Sequence, residues 1–147
     1  MTDKAQLESA LKESLRAGDE TRKNTVRMVL SAIKLAEIEK GTPLDETGIT
    51  SILQKEVKSR RESIADAQRA NRPDLVAAAE AEIAILESYL PKAMSSEELD
   101  ALARQAVQEA GANSVREMGQ VMKILMPRLQ GRASGDQASQ AVRKLLQ

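Results

Sequence analysis

Asp19-Glu-Thr-Arg-Lys-Asn-Thr-Val-Arg-Met-Val-Leu-Ser-Ala-Ile-Lys-Leu-Ala-Glu-Ile-Glu-Lys-Gly41 is the stretch that decides the fold class. An acid able to accept from free N–H groups opens it, and a glycine closes it, as helix punctuation requires. Between them Val26, Val29, Leu30 and Ile33 recur at three- and four-residue spacing and share one face. Met28 and Leu35 fall on the opposite side. A helix apolar on two sides is expected at the centre of a bundle.

The same period continues outward. Leu7, Leu11 and Leu15 predict a helix over 3–17, stopped by Gly18. Ile49, Ile52, Leu53, Val57 and Ile64 predict another over 45–71. Pro73 opens a fourth at the first-turn position that proline favours, and Leu75, Ala79, Ile83, Leu86 and Leu90 carry it to Pro91. Ser95-x-x-Glu98 and Ser114-x-x-Glu117 both have the capping-box form. Three short helices are expected after them, over 96–110, 115–126 and 134–146. No strand-like alternation competes. The fold is therefore read as all-α: an N-terminal bundle of about four helices over 1–93 and a three-helix domain over 94–147, hinged near 91–96. A core drawn from so few short helices is marginal, so the tail is expected to fold weakly alone or to lean on a partner.

Composition removes whole classes of chemistry. The 147 residues include no Cys and no His, so disulfides, thiolate ligands, a Cys nucleophile and the commonest general base are all missing. No metal, cofactor or catalytic residue is expected. With one Tyr, no Phe and no Trp, base stacking on aromatic platforms is disfavoured. No apolar run reaches membrane-spanning length and the N-terminus opens polar, which points to a cytoplasmic protein. Twenty-two bases balance twenty-two acids, so any nucleic-acid contact must come from a local patch.

One such patch closes the chain. Lys123-Ile-Leu-Met-Pro-Arg-Leu-Gln-Gly-Arg-Ala-Ser-Gly135 reads as an apolar helix stopped by Pro127, then a loop of Gly131, Arg132 and Ser134, with Ser134 placed to cap the next helix. From Lys123 onward five bases, Lys123, Arg128, Arg132, Arg143 and Lys144, stand against the single acid Asp136. Free N–H groups at a helix start beside a guanidinium suit a phosphate. Lys123, Arg128, Gly131, Arg132, Ser134, Arg143 and Lys144 are therefore candidate RNA- or phosphate-binding residues. An ordinary capped turn explains the same spacing.

Other clusters have structural readings beside functional ones. In the basic run 55–61, Lys55 and Lys58 point away from the apolar stripe, whereas Glu56 and Arg60 fall inside it. Glu before Arg at i,i+4 is the favourable order, so Glu56 and Arg60 are expected to form a partly buried polar pair. Lys23, Arg27 and Lys34 line one side of the second helix, as a solvated face or a backbone track. Met118, Met122 and Met126 recur on a core face and read as core filling. Gly119, in the same helix, would be justified by another helix approaching closely.

Longer segments carry a resemblance. They are Thr25-Val-Arg-Met-Val-Leu-Ser-Ala-Ile-Lys34 with Glu37-Ile-Glu-Lys-Gly41, Gln54-Lys-Glu-Val-Lys-Ser-Arg-Arg-Glu-Ser-Ile64, Glu80-Ala-Glu-Ile-Ala-Ile-Leu-Glu-Ser-Tyr-Leu-Pro91, and Gly119-x-Val-Met-Lys-x-Leu-Met-Pro127 with Gly131-Arg-Ala-Ser-Gly135. Through them the chain resembles the GatB/YqeY family over essentially its full length. In that family the tail is a helical extension of GatB, a component of the bacterial tRNA-dependent amidotransferase, where it engages the tRNA body while the chemistry lies elsewhere. The resemblance implies a non-catalytic module for tRNA or another structured RNA, with an amidotransferase or aminoacyl-tRNA synthetase as protein partner. A protein-interaction adaptor is the alternative. An accessory of carbon–nitrogen ligation with glutamine as amido donor is a further one.

Overall fold

The computed structural model describes all 147 residues, Met1–Gln147. It is all-helical: α1 (Lys4–Ala17), α2 (Glu20–Lys40), α3 (Glu46–Arg69), α4 (Pro73–Glu87), α5 (Ser96–Ala110), α6 (Met118–Leu129) and α7 (Gly135–Leu146), with a 3-10 turn at Val115–Glu117 and no strand. The chain divides into two compact units, Met1–Pro91 and Lys92–Gln147.

In the first unit α1 packs on α2, α3 on α4, and α2 also meets α3 and α4. Its core is Leu7, Val26, Val29, Ile33, Ile49, Leu53, Val57 and Leu86. Local chemistry sets the ends of the helices. Asp3 and Gln6 form a reciprocal capping box on α1, Asp19 accepts from the Arg22 N–H, and Asp45 accepts from the Gly48 N–H. Gly18 and Gly41 close α1 and α2 in the left-handed region, at φ 69° and 77°, where a side chain would be strained.

The expectation for the far side of α2 needs correction. Met28 and Leu35 do not enter a core: they are 52% and 59% exposed. The helices of this unit bury the Val26–Val29–Ile33 side of α2; on the far side Arg60 of α3 reaches the Met28 sulfur, but Met28 and Leu35 stay largely exposed.

In the second unit α5, α6 and α7 pack pairwise. Six of the eleven buried residues in its core are alanines: Ala103, Ala106, Ala112, Ala133, Ala138 and Ala141. Val121, Leu125, Leu129, Val142 and Leu146 supply the bulk. Ser95 with Glu98 and Ser134 with Gln137 form full capping boxes.

Ser114 does not cap. It precedes the 3-10 turn with no side-chain bond to the helix, and Glu117 instead accepts from the Asn113 N–H at 3.3 Å. Pro127 does not stop α6 either. The helix runs two residues further, to Leu129, and ends with Gln130 and Gly131 at φ 50° and 74°. Proline removes one donor and crowds the preceding turn, but its fixed φ is itself helical, so α6 continues past it until the left-handed Gln130 ends it. Gly119 has open space around it, so no helix approaches there. Of the three methionines, Met118 and Met122 pack on the core, whereas Met126 is 45% exposed.

Candidate anion-binding surface of the C-terminal unit

The candidate residues lie at the end of α6, in the loop to α7, and on α7 itself. Left-handed Gln130 and Gly131 turn the chain, the Arg132 N–H bonds the Leu129 carbonyl at 2.9 Å, and Ala133 is buried. The Ser134 hydroxyl accepts from the Gln137 N–H at 3.1 Å, while the Gln137 side chain accepts from the Ser134 N–H at 2.9 Å. Ser134 is thus occupied as a helix cap.

Arg132 is also occupied. Its Nε donates to the Lys92 carbonyl at 3.0 Å, and a terminal nitrogen donates to the Glu98 carboxylate at 2.9 Å. The Met94 N–H returns a bond to the Arg132 carbonyl at 2.8 Å. Arg132 therefore straps the segment leading into α5 onto the α6–α7 loop. The Ser95 N–H, the charge and hydrogen bond of Arg132, and the charge of Lys92 together hold the Glu98 carboxyl below the usual carboxylate range. Arg128 donates to Glu109 at 2.6 Å. Neither Glu98 nor Glu109 is legible as a partner from sequence: Glu98 reads only as half of a cap, and Glu109 lies nineteen residues from Arg128.

Lys123, Arg143 and Lys144 are different. All three are exposed and none is in an ion pair. Arg143 and Lys144 occupy the last turn of α7, where cations complement the carbonyl end of the helix. The seven predicted residues thus separate into structural members (Gly131, Ser134), paired cations (Arg128, Arg132) and open cations (Lys123, Arg143, Lys144).

In the first unit Glu56 and Arg60 meet directly, and Arg60 is buried, 8% exposed. A third member is invisible to the spacing argument. Arg60 Nε also donates to Glu82 of α4 at 3.0 Å, and another of its nitrogens lies 3.3 Å from the Met28 sulfur. The lone aromatic, Tyr89, accepts from Arg22 at 2.9 Å through its hydroxyl, and its backbone carbonyl accepts from Thr2 at 2.6 Å. Glu37 accepts from the Leu44 N–H and from Lys4, both of which lower its pKa.

No three His, Cys, Asp or Glu side chains stand where they could hold a metal, and no helix is long and apolar enough to cross a membrane. What the fold and the site define is an all-helical protein of two units whose tail presents cations. The chain belongs to the YqeY-like protein family, whose model matches residues 4–146. It is similar to the protein named altered inheritance of mitochondria protein 41, mitochondrial, from several yeasts. Identity is 44% over 101 residues with the Kluyveromyces lactis protein, covering 66% of this chain and 54% of that one. It is 39% over 100 residues with the Lachancea thermotolerans protein, covering 66% and 54%. The chain spans about half the length of the curated relatives it matches.

Proposed function

We propose that this protein is a non-catalytic helical module that binds the backbone of structured RNA of the tRNA type through its C-terminal unit. Lys123, Arg143 and Lys144 carry the reading, as exposed cations with no internal partner. Such groups neutralise phosphates and release counterions without first breaking a protein contact. Arg128 and Arg132 would have to exchange Glu109 and Glu98 for phosphate, so they contribute less. Eight bases against six acids in the unit give a modest attraction, suited to a weak accessory contact. The resemblance of the tail to the GatB extension supports tRNA as the RNA class. The working place of such a module is an aqueous compartment that holds tRNA.

Titration of the full chain into labelled tRNA across a salt series tests this. Affinity should fall with salt at a slope of about −0.7 to −0.9 per neutralised phosphate. Lys144→Ala and Arg143→Ala should each flatten it by about one phosphate's worth. Binding no tighter than that of an unrelated neutral protein at low salt would end the reading.

A further inference from the structure

The outer face of α2 has no role in the RNA reading, lies in the other unit, and carries a different chemistry. Met28, Leu35 and Ile38 are 52%, 59% and 68% exposed. At seven- and three-residue spacing they fall within roughly 80° of arc, opposite the buried Val26, Val29 and Ile33. Scattered exposed aliphatics need no explanation, but three on one arc of a helix, with only the small exposed Ser31 among them, make an apolar face. Beside Ile38 the stripe borders a groove between α1 and α2, floored by Leu30 and edged by Lys34 and Glu8.

Charge says what would cover it. Arg27 and Lys34 are exposed along one margin of the stripe, and neither is in an ion pair. Lys23, the next base on that margin, is held by Glu20 at 2.6 Å. On the opposite margin only Glu39 stands, near the C-terminal end of the helix. The carboxylates of Glu56 and Glu82 are already engaged by Arg60, which also reaches the Met28 sulfur, and Lys4 and Glu37 across the groove satisfy each other. A second copy laid antiparallel on the stripe would set Arg27 and Lys34 against their own equivalents, which is repulsive.

From this we infer that the outer face of α2 is a docking surface for an amphipathic helix of a partner protein, one with aliphatic anchors at helical spacing and acidic residues along a single flank. The anchors bury Met28, Leu35 and Ile38. The acidic flank lies along Arg27 and Lys34, fixing the direction and register of the partner helix.

A pair of labelled synthetic peptides tests the surface on the full chain. Both carry leucines at three- and four-residue spacing, one with Glu along a single flank and its twin with Lys there. Fluorescence anisotropy should show the Glu peptide binding about tenfold tighter than the Lys twin at low salt, with the gap closing as salt rises. Arg27→Glu with Lys34→Glu should reverse the preference. Leu35→Ser should abolish binding of both peptides while leaving the thermal midpoint unchanged, since Leu35 contributes nothing to the core. Equal binding of the two peptides, or binding unaffected by Leu35→Ser, overturns the inference. So does self-association of the wild-type chain in sedimentation that Leu35→Ser removes, since the occupant would then be a second copy. Capture of the wild type but not Leu35→Ser by phosphatidylglycerol vesicles overturns it too, in favour of a lipid surface.

Discussion

The two units are built from the same element by opposite means. The cluster in Met1–Pro91 contains no alanine and is filled by Leu, Ile and Val; that in Lys92–Gln147 is more than half alanine. A buried Leu or Ile side chain is worth about 1.5–3 kcal/mol, and a methyl group only about 0.8. Small side chains let α5, α6 and α7 approach closely and favour the helix itself, but they remove less apolar surface from water. The first unit can accommodate a buried arginine among its apolar groups. Both units cap their helices, and the second adds the Arg132 strap across its loop. The difference teaches that helices of similar length can be held together by cores of quite different apolar content.

Four experiments break or sharpen this contrast. The largest effect belongs to Arg60→Ala. It strands Glu56 and Glu82 around a site where the arginine was 8% exposed, and should cost about 3 kcal/mol of the first unit's stability. Arg61→Ala removes only an exposed pair with Glu87 and should cost about 0.5 kcal/mol or less. Equal denaturation midpoints for the two variants would mean that the Glu56–Arg60–Glu82 cluster contributes nothing.

Next is Ala138→Leu, at a position of 0% exposure. Overpacking of this kind costs about 1–3 kcal/mol and should fall on the second unit alone. Tyr89 is the only aromatic and reports on the first unit, whereas far-UV circular dichroism reports on both. In the variant, ellipticity should be lost before tyrosine fluorescence changes. Coincident curves would show one cooperative molecule rather than two separately stabilised units.

Gly119→Ala should act in the opposite sense. An added methyl meets nothing there, and alanine is the better helix former, so the second unit should gain up to about 1 kcal/mol. A loss in the ellipticity midpoint would reveal a hidden requirement for glycine.

The smallest effect is with pH. Glu37 in the first unit and Glu98 in the second both have folded pKa values below those of the unfolded chain. Their stabilisation is fully present above the unfolded glutamate pKa and is lost as pH falls through the lower folded values. Glu98→Gln should flatten the acid limb of the ellipticity curve, and Glu37→Gln that of the fluorescence curve. An acid limb unchanged in either variant would remove that carboxylate from the account.

The helical class was legible because three- and four-residue spacing recurs in every segment and turn residues punctuate it. The exposed side of α2 was not, because a sequence shows how many faces of a helix are apolar but not how many neighbours arrive to cover them. Glu56 and Arg60 could be paired from their spacing, while Glu82 sits on another helix, twenty-two residues from Arg60. In the tail the charge excess was plain. Which cations were already engaged was hidden, since Arg132 finds Glu98 thirty-four residues away. Pro127 misled for a local reason: proline burdens the turn before it rather than the residues after it, and the end of α6 is set by the left-handed Gln130 instead.

The strap made by Arg132 also sets where this chain can be cut. Lys92 and Met94 precede the first residue of α5, yet they are bonded to Arg132, forty residues from Lys92. An excised fragment that starts at the helix, at Ser96, would keep the Arg132 bond to Glu98 but lose those to Lys92 and Met94. One that starts at Lys92 carries the anchor with it. The smallest transplantable piece of the C-terminal unit is therefore counted from a non-helical tetrapeptide, and a graft into another protein succeeds or fails on those four residues.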